Sequence, residues 1–202
     1  DLLESGACDD VIIAVPHELH PEMVMQALAK DIHVISDKPA GVYAKQVREM
    51  NEFAAKSKAK FGMMFNQRTN CIYRKMKEII AEGKIGEIVS CRSQFTCWYP
   101  DIPGSWRQSK KHGGGGAMMD MGVHCIDLLQ YILNTTAKDV AAFHDTLSFP
   151  YEVEDSSTVM LRMENGCQCV VQSNFNVPDE AAKWRIEIFG DRGRLLGYGV
   201  IG

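Results

Sequence analysis

The run Val11-Ile-Ile-Ala-Val15, closed by Pro16, constrains this chain more than any other feature. Five apolar residues, mostly β-branched and too few for a helix, predict a strand buried on both faces, as in parallel sheets. After a four-residue link, Pro21 opens a helix with Met23, Ala27 and Leu28 as apolar residues that ends near Lys30-Asp31, and Ile32 to Ile35 supplies a second strand. Strand, helix and strand in so short a span form a βαβ crossover, which requires parallel pairing and a right-handed connection. Open parallel sheets take ligands beyond the carboxyl ends of their strands. Pro16, His17 and His20 lie at one such end and Asp37-Lys38-Pro39 at the next, so Lys38 is expected to aim an ammonium over the ligand crevice.

A helix over 43–58, with Val47, Met50 and Ala54 on one face, and a strand over 61–65 continue this pattern. The loop Asn66-Gln-Arg68 follows, then a helix over 71–81 stopped by Gly83. From Glu87 the apolar period changes from helical to alternating. Residues 87–99, 155–163 and 167–175 alternate, Glu164-Asn165-Gly166 signals a tight hairpin, and 184–189 with 194–196 make another around Gly190 to Gly193. The expected fold is therefore α/β, a parallel sheet over residues 1–65 and then an α/β part over 66–202. This second part carries a large, open, mostly antiparallel sheet and one long helix over 117–133. The small parallel sheet, and the strand-like residues still arriving at Gly199-Val-Ile-Gly202, lead us to expect a fragment of a longer protein.

Composition narrows the partners. Lys and Arg total 22 against 26 Asp and Glu, a net charge of -4, so no basic surplus draws nucleic acid or anionic lipid. No apolar run reaches the about 20 residues of a spanning helix, and the opening DLLESGACDD is too acidic for a secretory signal. A cytoplasmic protein with a small-molecule substrate is expected. The seven cysteines are expected to be reduced and mostly buried, with Cys167 and Cys169 on opposite faces of a strand.

The stretch richest in chemistry is Gly113 to Tyr131. Asp120, His124, Asp127 and Tyr131 recur at helical spacing along one side of a helix whose remaining surface is Met, Val, Ile and Leu. A carboxylate one turn from an imidazole can orient the ring and hold its tautomer, which suits a general acid/base; a buried Asp/His pair that satisfies itself fits the spacing equally well. Gly122 inside the helix suggests that a ligand or another backbone comes close there. Gly113 to Gly116 lack the spacing of a phosphate loop, and are expected to turn the chain from Trp106-Arg107 into a helix N-terminus whose N–H groups favour an anion. His17, Glu18 and His20 read as exposed loop residues, and neither they nor Asp120, His124 and Asp127 have diagnostic metal spacing, so no metal is expected.

Taken in order, Val11 to Pro16 with His20, His33-Val34, Asp37-Lys38-Pro39-Ala40, Lys84 to Ile88, Ser105-Trp106-Arg107 and Gly114 to Asp127 resemble the glucose-fructose oxidoreductase/inositol dehydrogenase family, Gfo/Idh/MocA. Asp37 stands where the family's E-K-P motif has Glu. The resemblance implies the C-terminal portion of a Rossmann-type domain followed by the open-sheet domain. It also implies NAD(P)-dependent hydride transfer to or from a sugar, cyclitol or related polyol, and a homo-oligomer, dimer or tetramer, paired through the open sheet. Carried over by position, Lys38 is the lysine near the nicotinamide, Asp120 the substrate-side carboxylate and His124 the proton acceptor. Pro16, His17, His20 and Asp37 border NAD or NADP, while Arg68, Trp106 and Arg107 are candidate substrate-wall residues. The Gly-rich first βαβ that holds the pyrophosphate, and the residue that selects NAD or NADP, do not lie among these 202 residues. Alternatives are a non-catalytic dimerising member of the family and, more weakly, a metal-dependent hydrolase built on Asp120, His124 and Asp127.

Overall fold

The computed structural model describes residues 2–198; the strand expected at 199–202 lies outside the described residues. The chain separates into two compact units, one of residues 1–65 with 103–115 and one of 66–102 with 116–202. A single boundary at 65/66 is therefore not the whole division, because the segment from Pro103 to Gly115 returns to the first unit.

In the first unit β1 (Asp10–Ile13), β2 (His33–Asp37) and β3 (Phe61–Met64) pair in parallel in the order β1-β2-β3. Helix α1 (His20–Leu28) connects the first two strands and α2 (Ala44–Lys56) the last two. Val24, Ala27 and Leu28 of α1 and Met50 of α2 bury themselves with Ile13, Ile32 and Val34. Here the expectation of two buried faces fails: Ile12 and Ile35, cross-strand partners, are 68% and 45% exposed. The cause is topological. Two right-handed crossovers that step in the same direction put both helices on one side of the sheet, and no described element covers the other.

The second unit begins with a 3-10 turn (Asn66–Thr69) and α3 (Cys71–Ala81), whose first turn is capped by Asn70 Oδ1 accepting from Ile72 N at 2.9 Å. Its sheet contains β4 (Ile88–Thr96), β5 (Ala137–Asp145), β6 (Ser156–Met163), β7 (Gln168–Asn174), β8 (Trp184–Gly190) and β9 (Gly193–Tyr198) in the order β5-β6-β7-β4-β8-β9. Every pairing is antiparallel except the central β4 with β7. Strand β5 carries no alternating signal in Ala137-Lys-Asp-Val-Ala-Ala-Phe-His-Asp145 because nearly all of it is exposed at the sheet edge.

The inner face of this sheet packs against α5 (Val123–Leu133), which buries Cys125, Leu128, Leu129 and Ile132 among Val159, Leu161, Val171, Ile186 and Ile188. Cys167 and Cys169 both face this core, contrary to the expectation of opposite faces. Residues two apart along an extended chain share a side, so that expectation misapplied the strand period. The outer face shows Phe143, Met160, Leu196 and Tyr198, all exposed. The short helix α4 (Lys110–Gly113) belongs to the first unit.

Candidate active site

In the first unit the carboxyl ends of β1 and β2 are tied to each other through a histidine. His20, 1% exposed, sets Nε2 2.9 Å from the carbonyl oxygen of Val15 and Nδ1 2.7 Å from that of Pro39. With both nitrogens on backbone carbonyls, this ring braces the two strand ends and offers no ring nitrogen to a ligand. His17 is buried as well, its Nδ1 2.9 Å from the Gly113 carbonyl oxygen and its ring edge-on to Trp106 at 4.7 Å. The reading of His17 and His20 as exposed loop residues is thus corrected: each is drawn in because backbone carbonyls left over at strand and helix ends need donors.

The guanidinium of Arg107 lies 4.3 Å over the Trp106 ring, and Glu18 pairs with His112. Gly114, at φ 79°, ends α4 in a left-handed turn where a Cβ would come within 2.5 Å of Val42 Cγ1. At the end of β2, Asp37 Oδ1 accepts from the backbone N–H of Lys38 at 2.8 Å, a local turn that fixes where the lysine leaves the strand. Pro16, Asp37 and Lys38 thus stand where an open parallel sheet receives its ligand.

In the second unit the expected helix over 117–133 is two structures. Met118 to Gly122 form a wide π turn carrying Asp120, and α5 begins at Val123 with His124 in its first turn. Such turns are uncommon and recur at functional sites. The N–H groups that were expected to attract an external anion already have one: the Glu154 carboxylate accepts from Gly116 N at 2.8 Å and Met118 N at 3.0 Å. The same segment explains Gly116, where a Cβ would stand 1.9 Å from the Glu154 carbonyl oxygen. At Gly122 a Cβ would meet Met118 Sδ at 2.3 Å and Ser173 Oγ at 3.0 Å, so side chains of the π turn and of β7 already demand that glycine.

Asp127 does not extend the Asp120/His124 stripe. It is held by Arg68, whose Nε donates to Oδ2 at 2.9 Å while its second nitrogen donates to Oδ1, and this bond raises the guanidinium pKa further. Arg68, offered as a substrate-wall residue, therefore anchors the start of the second unit to α5. Among the described residues Asp120, His124 and Asp127 do not gather within ligating distance of one another. The His124 ring packs 6.5 Å from Phe95 and 6.1 Å from Trp184, which stack on each other at 4.0 Å as cross-strand neighbours of β4 and β8. Burial and the nearby Asp120 push the Cys97 thiol up to about 11. Glu154 escaped sequence reasoning because Glu152-Val-Glu154-Asp155 carries no spacing that sets one carboxylate apart.

Residues 1–65 match the model of an oxidoreductase family with an NAD-binding Rossmann fold, and residues 73–196 that of the GFO/IDH/MocA C-terminal domain. The parallel sheet thus falls in the part of the chain that matches an NAD-binding Rossmann fold, and the open antiparallel sheet in the part that matches the family's C-terminal domain. The chain belongs to the Gfo/Idh/MocA family. It is 28% identical to 1,5-anhydro-D-fructose reductase of Ensifer adhaerens over all of its own length and 60% of that protein's. It is 26% identical to myo-inositol 2-dehydrogenase of Thermotoga maritima over 99% of its length and 59% of the relative's. Among solved structures, an oxidoreductase domain protein from Kribbella flavida superposes with a TM-score of 0.91 at 26% identity, covering 98% of this chain and 56% of that one. A levoglucosan dehydrogenase in complex with NADH and levoglucosan gives 0.89 at 26% identity with the same coverage. The chain spans little more than half the length of these relatives.

Proposed function

We propose that this chain supplies strand ends and a reacting helix to an enzyme that transfers a hydride between NAD or NADP and a sugar, cyclitol or related polyol. The observation that carries this reading is the Asp120/His124 pair on a π turn and helix anchored at two points, by Glu154 at the N-terminus and by Arg68 at Asp127. Pro16, His17, Asp37 and Lys38, at the carboxyl ends of a parallel sheet, fit a dinucleotide and would hold it, with His20 bracing the strand ends. A bound nicotinamide supplies the hydride acceptor or donor.

The chain's own residues handle the proton and the charge. Oxidation of a carbinol releases the hydroxyl proton, and neutral His124 takes it on a ring nitrogen. Asp120 orients the substrate hydroxyls and the imidazole, and the Lys38 ammonium stabilises negative charge developing on oxygen. Trp106 and Arg107, stacked on each other, form substrate wall, while Arg68 acts as a positioning residue through Asp127. The substrate class rests on the reductase, inositol dehydrogenase and levoglucosan relatives.

The outer sheet face, with Phe143, Met160, Leu196 and Tyr198 exposed, supports a homo-oligomer, dimer or tetramer, paired through it. Sedimentation of Met160→Asp against the unchanged chain tests this, since a charge on that face should yield monomers.

The test of catalysis is His124→Ala and His124→Asn in the full-length protein, assayed with NAD+ and NADP+ against myo-inositol and levoglucosan, and with NADH and NADPH against 1,5-anhydro-D-fructose. Both variants should keep their fold and lose about 10²–10⁴-fold in turnover, the usual worth of a positioned general base. Lost stability with turnover per folded molecule preserved removes His124 from the mechanism. Absence of turnover in the unchanged protein with the oligomer intact favours the non-catalytic alternative.

A further inference from the structure

Three cysteines meet in the core of the second unit, away from the π turn. Cys91 on β4 and Cys169 on β7 are direct cross-strand partners in the central parallel pair, and Cys167 enters from the hairpin that precedes β7. The sulfur of Cys167 lies 3.7 Å from that of Cys91 and 4.0 Å from that of Cys169, and all three fall within 4.8 Å of one another. Each residue is at most 2% exposed. A centre that keeps a lone pair and binds three sulfurs as a pyramid at about 2.3 Å separates them by about 3.5 Å, so the 3.7 and 4.0 Å spacings need close by only a few tenths of an ångström.

Charge selects the occupant. The neighbours are the core residues Leu161 and Ile188, cross-strand partners of Cys169 and Cys91, and no Lys or Arg is among the buried residues described. Three thiolates around a monovalent or divalent ion leave a net negative charge in this apolar interior with no cation to offset it, which is costly. Three thiolates around a trivalent centre are neutral. The described residues gather no fourth ligand of the kind a tetrahedral zinc site needs.

We propose that Cys91, Cys167 and Cys169 form a binding site for a trivalent thiophilic metalloid, of which arsenite is the type. The reaction is a condensation with no change of oxidation state: As(OH)3 and three thiols give As(SR)3 and three waters, three As–O and three S–H bonds being exchanged for three As–S bonds and three new O–H bonds, each leaving hydroxyl taking one thiol proton. Entry is by opening of the hairpin at Glu164 to Gly166, whose glycine has open space around it, so loading is slow relative to an exposed thiol such as Cys71.

The 202-residue chain, kept reduced with a phosphine, is incubated with sodium arsenite, desalted, and its arsenic measured against protein. One arsenic per chain is expected, and X-ray absorption on this unchanged protein should show three sulfurs and no oxygen around it. Cys91→Ala, Cys167→Ala and Cys169→Ala, each checked for fold by circular dichroism, should each lower affinity at least tenfold, and Cys71→Ser should leave it unchanged. No retained arsenic, a shell of two sulfurs and one oxygen, or affinity preserved in any folded member of the first three variants overturns the proposal. Retention of zinc in preference to arsenite overturns the trivalent assignment.

Discussion

Replacing Arg68 with Ala separates two roles for this residue, as substrate contact and as anchor of α5. In the structure its guanidinium makes two donations to Asp127, whose side chain is 7% exposed, while the arginine side chain is 48% exposed. Hydrogen bonds to charged groups contribute roughly 1.5–3 kcal/mol each, and removing one partner of a fully buried pair costs about 3–5 kcal/mol. Because half of the arginine is in water, screening and rehydration of the abandoned carboxylate reduce that figure, and about 2–3 kcal/mol is expected. For a chain of this length that corresponds to a fall of about 5–10 °C in thermal midpoint. Chemical and thermal unfolding of Arg68→Ala, Asp127→Asn and the double variant complete a cycle, and the coupling should be about 2 kcal/mol because the two side chains touch. A loss below about 0.5 kcal/mol, together with a raised KM for the polyol in the full-length protein, would refute the anchoring argument and return Arg68 to the substrate wall.

Asp155 offers a pH test. It is fully buried, and although burial raises its pKa, N–H donation from Leu147, Ser148 and Phe149 and the Ser156 hydroxyl outweighs this and leaves the pKa below its ordinary 3.8. A depressed folded pKa contributes stability above the unfolded value, so the deficit of Asp155→Asn, about 1–2 kcal/mol at neutral pH, should vanish as pH falls through the folded pKa of the unchanged protein; a deficit constant with pH defeats this. Glu154→Ala should cost about 1–2 kcal/mol, the scale of a lost helix cap, and Glu154→Gln less, as unfolding in urea will measure. Gly116→Ala should cost about 1–3 kcal/mol or more by driving a methyl against the Glu154 carbonyl, and equal melting temperatures would remove the close-approach argument.

The parts of this fold legible from sequence are those whose signal is local. The run Val11 to Val15, Pro21 at the start of a helix, Gly83 beyond the end of another and Glu164-Asn-Gly166 at a hairpin each act within a few residues of themselves, and the structure places β1, α1, α3 and the β6–β7 turn there. What stayed hidden depends on partners far along the chain. Strand β5 escaped because an edge strand in water has no reason to alternate, and the parallel pairing of β4 with β7 joins residues nearly 80 apart. Asp127 looked like the third member of a catalytic stripe until Arg68, 59 residues away, took it. The same limit governs the stripe itself. Spacing of four puts Asp120 and His124 on one side of a regular helix, but the turn that carries Asp120 is a π turn held open by Glu154, and nothing in Met118-Met-Asp-Met-Gly122 announces an extra residue in the turn. A carboxylate 36 residues downstream thus holds the turn that carries Asp120, and under the proposed roles of Asp120 and His124, changes at Glu154 should alter turnover in the full-length protein more than their effect on stability alone requires.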